Sequence, residues 1–251
     1  MTSISDPIPL PESVSTEDDL NELTPTRYAM ERGLLVIGER TELILVRHAQ
    51  QIRTMAAARR QGGPGLSELG QAQARLTGQY LAADADATAP ISAVYCSDLN
   101  RTVETAGIIA SAAAPGLTPQ PTPALREIDM YGRASGDADV SPETQATAGQ
   151  KFGRTLRWDA FPNTEAGADF RQRIHAAVRE IAEKHPNERV LVVSHAGAIS
   201  AFVAELIGAE PDMFYFPGHA SVNRVFHGDD RFIPQSMNEV GHLRARGALT
   251  F

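Results

Sequence analysis

Two short aliphatic runs, LILV at residues 43–46 and VLVV at 190–193, most constrain what this chain folds into. Neither alternates apolar with polar residues, the pattern of strands buried on both faces of a parallel sheet. Each run passes almost directly into a histidine: Arg47-His48-Ala49 follows the first, and Ser194-His195-Ala196-Gly197 follows the second. In open α/β sheets, ligands bind outside the carboxyl ends of the strands. If the two strands are neighbours, His48 and His195 face one crevice. A lone histidine at a strand end is more often a satisfied structural residue, so the pair, with Arg47 adjacent, carries the argument.

ISAVYC at 91–96 reads as a third buried strand, and helical segments separate the three. Ser67 can cap a helix from Glu68 to about Ala83; others run from about Leu99 to Ala113, from Asp169 to Lys184, and from about Ala198 to Leu206. Strands alternating with helices predict an α/β sandwich, a mainly parallel sheet flanked by helices. Residues 128–164 break the rhythm. They are rich in Gly, Ala and Ser, contain Pro142 and Pro162, and hold one expected helix around Thr144 to Leu156. This stretch is read as an insertion over the sheet edge, forming a lid. Near the end, SVNRVFH and RFIPQSM flank Gly228-Asp229-Asp230 and predict a terminal hairpin.

Composition narrows the functional classes. Of 251 residues, 42% are hydrophobic and 22% charged, which excludes a wholly disordered chain, a collagen-like repeat and a coiled-coil rod. The net charge of −8 argues against a broadly basic surface for nucleic acid or membrane. Cys96 is the single cysteine, so no intrachain disulfide or multi-cysteine metal site can form, and a reducing cytoplasm fits best. No apolar run approaches the ~18 residues of a membrane span. Residues 1–26 contain six acids, four prolines and no basic residue. Residues 1–40 are therefore expected to be a mobile acidic extension, and 41–251 a single domain.

Any anionic substrate must be drawn by a local cluster of arginine and histidine. Arg101 is placed in the first turn of a helix that follows the third strand; helix amino ends and guanidinium forks both favour phosphate. Gly62-Gly63-Pro64-Gly65 lacks the Lys-Ser/Thr ending of a P-loop and reads as a plain loop. A metal site built from His48, His195, His219, His227 or His242 would lack any tight ligand spacing, so no metal is expected.

Together these segments resemble the histidine phosphatase superfamily, also called phosphoglycerate mutase-like, over about residues 42–227. The matching blocks are LILVRHA, GLSELGQAQA, SDLNRTVETA, LREIDMYG, NTEAGADF followed by Arg173, and VLVVSHAGAI, in that order. The resemblance implies a three-layer fold with the variable insertion reaching over the pocket. It implies that His48 is a nucleophile that becomes phosphohistidine, that Arg47 and Arg101 clamp phosphate, and that His195 is the second histidine of the pocket. It also implies that Glu127 protonates the leaving alcohol, with Asp129 as the reserve acid and Glu165 bracing the site.

The chain departs from the family after the Arg-His pair, where Ala49-Gln50-Gln51-Ile52-Arg53-Thr54 lacks a phosphate-contacting Asn. Arg53 or Thr54 is expected to replace its hydrogen bond, a solvent-facing Arg53 being the alternative. Arg133, Arg154, Arg157 and Trp158 either read the substrate's organic part or form a solvated face; Asn223 and Arg224 are read as structural. The function expected is a phosphomonoester hydrolase acting on a small phosphorylated substrate, without a cofactor. The alternatives are a phosphoglycerate mutase-type phosphotransferase and a non-catalytic module binding phosphate or a partner. A homodimer is left open.

Overall fold

A computed structural model describes residues 24–58, 60–84, 89–130 and 140–251. The chain divides into residues 1–38 and 39–251, and each unit is described by itself. Within the first, in the stretch expected to be a mobile arm, helix α1 (Pro25–Gly33) is capped by Thr24, whose side chain accepts from the Arg27 N–H. Residues 1–23, the acid-rich part of that arm, lie outside the described residues.

The second unit is built on strand β1 (Thr41–Arg47), which sits near the centre of a six-stranded sheet. The sheet order is β3-β2-β4-β1-β5-β6. Strands β2 (Ile91–Cys96), β3 (Gln120–Pro121) and β4 (Arg189–Ser194) run parallel to β1. The expected hairpin is present as β5 (Val222–Gly228) and β6 (Arg231–Glu239), and β5 pairs antiparallel with β1. This is the mainly parallel sheet expected from the sequence.

The lack of alternation in β1 and β4 has a direct cause. Leu43, Leu45, Val190 and Val192 face one core. Ile44, Val46, Leu191 and Val193 face the other. Helices α6 (Gly167–Lys184) and α7 (Ala196–Ile207) cover the first face through Phe170, Ile174 and Phe202. Helices α3 (Glu68–Ala82) and α4 (Asn100–Ala113) cover the second through Leu81, Ile109 and Ala110. Burying one such side chain contributes roughly 1.5–3 kcal/mol, so polar residues in either run would be costly.

Smaller elements tie the loops down. Helix α2 (Met55–Ala58) follows β1, and α3 begins with Ser67 accepting from Gly70 N at 3.0 Å. A Cβ at Gly70 would collide with the Gln50 carbonyl, so glycine there lets α3 approach the loop leaving β1. In the inserted region, helix α5 (Pro142–Thr155) is followed by a short 3₁₀ turn, Trp158–Ala160; residues 131–139 lie outside the described residues. Helix α8 (Gly241–Arg244) follows β6. Among the described residues, no helix is long and apolar enough to cross a membrane.

Candidate active site

The register of β1 against β4 brings the two histidines together. Arg47 lies opposite Ser194, so both chains step off the sheet at the same level. His48 N donates to the Ser194 carbonyl at 2.8 Å, extending the ladder by one residue. The imidazole rings of His48 and His195 then stand 5.2 Å apart, edge to face. Both are buried, His195 completely.

Hydrogen bonds decide the tautomer of each ring. His48 Nδ1 lies 2.8 Å from the Ala49 carbonyl, which can only accept, so Nδ1 carries the proton. His48 is also held well below the usual imidazole pKa, first by burial and then by the charges of Arg101 and Arg47. The ring is neutral, and Nε2 keeps its lone pair. His195 is the reverse case. Arg101 Nη2 donates to its Nδ1 at 3.3 Å, so Nε2 bears the proton and donates to Ser97 Oγ at 2.8 Å. Burial, Arg101 and His48 keep this ring neutral as well.

The guanidinium groups of Arg47 and Arg101 flank the rings. Arg47 is buried, and burial lowers its pKa to about 10 although Glu127 pulls the other way. Burial also lowers that of Arg101. Among the described residues, the Nε of Arg47 and the Nε of Arg101 are each buried without a hydrogen-bond partner. A buried donor left unpaired costs about 1–3 kcal/mol, a cost that an anion accepting from both would remove.

One carboxyl group completes the cluster. Glu127 accepts from Gly197 N at 2.9 Å, near the start of α7, and from Ile128 N at 3.1 Å. Its pKa is raised, because burial outweighs those two N–H groups and the nearby arginines. A Cβ on Gly197 would strike Glu127 Oε1 and come within 2.8 Å of Trp158 Cζ2. Glycine at 197 is what lets the carboxyl group and the indole close over the helix end.

A model of the histidine phosphatase superfamily (branch 1) matches residues 43–240. The chain belongs to the histidine phosphatase superfamily. It is 32% identical over 183 residues to a Yersinia pestis (strain Pestoides F) protein named "Probable phosphoglycerate mutase GpmB", covering 71% of this chain and 77% of that one. It is similar in structure to Bacillus stearothermophilus YhfR, with a TM-score of 0.67, 25% identity, and 81% of this chain and 99% of that chain covered. A mycobacterial glucosyl-3-phosphoglycerate phosphatase in complex with VO3 matches with a TM-score of 0.60 and 25% identity, over 79% of this chain and 99% of that one.

Five of the seven site residues read from the sequence thus converge in this member of the superfamily: Arg47, His48, Arg101, Glu127 and His195. Arg53 and Thr54 do not join the buried cluster. The chain has left the strand end by that point; Thr54 Oγ1 accepts from Ala57 N at 3.2 Å and caps α2, while exposed Arg53 donates to the Phe251 carbonyl at 3.3 Å. Arg133 lies outside the described residues. Arg154 is exposed, and Arg157 is engaged by Asp159 and Glu210. Trp158, in contrast, is buried against the Glu127 side of the pocket.

Glu165 braces the segment that carries Glu127. It forms a paired contact with Arg173 at 2.8 and 2.6 Å, and Arg173 Nη1 donates to the Ala124 and Arg126 carbonyls. Two further residues hold places that the sequence does not assign them, Ser97 passed over and His219 weighed only as a metal ligand. Ser97, the first residue past β2, receives the His195 proton, and its position one step beyond a buried strand matches that of both histidines. His219 contacts Arg47 from the turn before β5, and only its residue type hinted at a role. Among the described residues, no group of three or more His, Cys, Asp or Glu is arranged to hold a metal ion.

Proposed function

We propose that the protein is a phosphomonoester hydrolase that works through a phosphohistidine on His48. The observation that supports this most directly is the pair of buried, partnerless guanidinium Nε–H groups beside a neutral imidazole whose Nε2 lone pair is free. A phosphomonoester brings about two negative charges and three equatorial oxygens to such donors. His48 Nε2 attacks phosphorus, and the P–O bond to the leaving group breaks. Glu127, whose pKa burial raises, gives its proton to the departing oxygen.

The phosphorylated ring is cationic, and its Nδ1–H remains held by the Ala49 carbonyl. Water then attacks phosphorus, Glu127 takes the proton that water loses, the P–N bond breaks, and inorganic phosphate leaves with His48 neutral again. Arg47 and Arg101 supply the fixed donors to the transferring group, and His195 orients Arg101 by accepting from its Nη2, so the reading requires no metal ion. The mycobacterial neighbour's VO3 complex supports a phosphate-like ligand in this fold.

The named mutase relative motivates a second reading in which the phosphoryl group returns to a bound acceptor. One labelling experiment separates the two. Radiolabelled substrate should leave an acid-labile, base-stable phosphoryl group on the wild type and none on His48→Ala, with inorganic phosphate as the released product. Isomerisation of phosphoglycerate after priming with a bisphosphate, without phosphate release, would favour the mutase. Turnover that survives His48→Ala would remove His48 as nucleophile.

A further inference from the structure

His219 is buried to 3% exposure, and no step above uses it. Its Nε2 lies 3.1 Å from Arg47 Nη2. A guanidinium nitrogen only donates, so His219 Nε2 accepts and the ring proton sits on Nδ1. That Nδ1 is 3.0 Å from Thr250 Oγ1, and the His219 backbone N–H donates to the Thr250 carbonyl at 2.9 Å. Gln73 holds the same threonine in place, donating from Nε2 to Thr250 Oγ1 at 2.9 Å and to the Ala248 carbonyl at 2.7 Å. Two residues before His219, the Pro217 carbonyl accepts from Arg47 Nη1 at 2.6 Å. The Phe216 ring covers the guanidinium, 4.7 Å from its carbon.

Both terminal nitrogens of Arg47 are therefore held by one turn, residues 216–219, and that turn is anchored to the segment around Thr250. We propose that His219 is a positioning residue for Arg47, a lone-pair acceptor that fixes the rotation of the guanidinium so that its other N–H groups converge with Arg101 on a phosphoryl group. Thr250 selects the tautomer that makes this possible. The proposal rests on the reading of Arg47 as a phosphate clamp. It goes beyond that reading by assigning the clamp's geometry to a side chain 172 residues away in sequence.

The replacement that isolates the lone pair is His219→Phe, which keeps a buried planar ring but cannot accept a hydrogen bond. His219→Gln restores an acceptor at the end of a side chain of similar reach, and Thr250→Val removes the tautomer partner together with the hydroxyl that Gln73 binds. The measurements are KM for an aryl phosphate and the inhibition constant of orthovanadate, neither of which depends on the fraction of molecules that fold. In His219→Phe both should rise about tenfold, the weight of one charge-assisted hydrogen bond. His219→Gln should return both to within about threefold of wild type, with Thr250→Val between the two.

Unchanged KM and vanadate inhibition in His219→Phe would overturn the positioning role while leaving the clamp reading intact. Equal loss in His219→Phe and His219→Gln would also overturn it, since the lone pair would not be what matters. A wild-type protein that neither hydrolyses aryl phosphates nor binds orthovanadate would instead sink the clamp reading, and the role of His219 with it.

Discussion

The two ends of the central strands bury arginine in opposite ways. At the amino end, Arg189 donates to Glu42 at 2.6 Å and to Asp84 at 2.8 Å. Arg224 donates to Glu42 at 2.7 Å, Asp84 at 2.8 Å and Glu239 at 3.1 Å. Burial works against the charge on Arg224, yet Glu239, Glu42 and Asp84 more than offset it and its pKa is raised. At the carboxyl end, Arg47 and Arg101 meet three neutral histidines, His48, His195 and His219, and one carboxyl group whose own pKa is raised. Three carboxylates balance two guanidinium groups at one end; at the other the balance is left open. The balanced end is structural. The unbalanced end keeps positive charge without balancing carboxylates, against the chain's net −8, as the proposed phosphate ligand would need.

Four experiments would break or sharpen this contrast. The largest effect is expected at the lone acid of the unbalanced end. Glu127→Gln should slow hydrolysis of alkyl phosphates by about 10²- to 10⁴-fold, the usual contribution of general acid–base catalysis. Nitrophenyl phosphate, whose leaving group needs no proton, should lose far less in the phosphorylation step, read as the pre-steady-state release of nitrophenolate. In the wild type, activity towards alkyl phosphates should fall as pH rises through the elevated Glu127 pKa, and this basic limb should vanish in the variant. A parallel loss for both substrates in that phosphorylation step would remove Glu127 as the proton donor.

Next in size is Arg101→Ala, expected to lower kcat/KM by about 10²- to 10³-fold. Because it removes one of two like charges that lack balancing carboxylates, the melting temperature should hold or rise. The amino end should answer in the opposite sense. Glu42→Ala strips a shared partner from two buried arginines and should cost about 3 kcal/mol, a drop of roughly 6–12 °C in Tm, while KM stays at the wild-type value. If Glu42→Ala altered KM and Arg101→Ala altered Tm, the division between the two ends would be wrong.

The smallest effect is a slope. Burial, then Arg47 and Arg53, depress His219 from its ordinary 6.5 to about 3. Between those values the unfolded chain binds a proton that the native ring refuses, so stability falls as pH drops from about 6.5 towards 3, by about 1.4 kcal/mol per pH unit for this group. His219→Gln should flatten the profile by that amount in urea denaturation at pH 7 and pH 5. An unchanged slope would mean that His219 is not buried as a neutral ring.

The strands and the carboxyl-end residues are legible in the sequence, whereas the amino-end cluster of Glu42, Asp84, Arg189 and Glu239 is not. Continuous aliphatic runs expose β1 and β4 because burial on both faces leaves no room for polar residues, and the histidines follow at fixed steps. Ser67 and the helical spacing after it locate α3 to within a residue. Strand β3, by comparison, has two exposed residues and no period to read. The hairpin announced itself through Gly228-Asp229-Asp230, but its place beside β1 is a tertiary choice that no local pattern records. Arg53 and Thr54 were reached by position along the chain, whereas the structure spends Thr54 on a helix cap. His219 stayed hidden because its partners, Arg47 and Thr250, are joined to it only by folding.

The bond between His48 Nδ1 and the Ala49 carbonyl has one more consequence. Its acceptor belongs to the main chain, so replacing a side chain elsewhere in the pocket does not delete it. A histidine oriented by an aspartate can be turned by changing that aspartate; His48 draws its orientation from the peptide bond next door. Substitutions in the surrounding pocket should therefore weaken the grip on substrate while leaving the attacking nitrogen correctly presented.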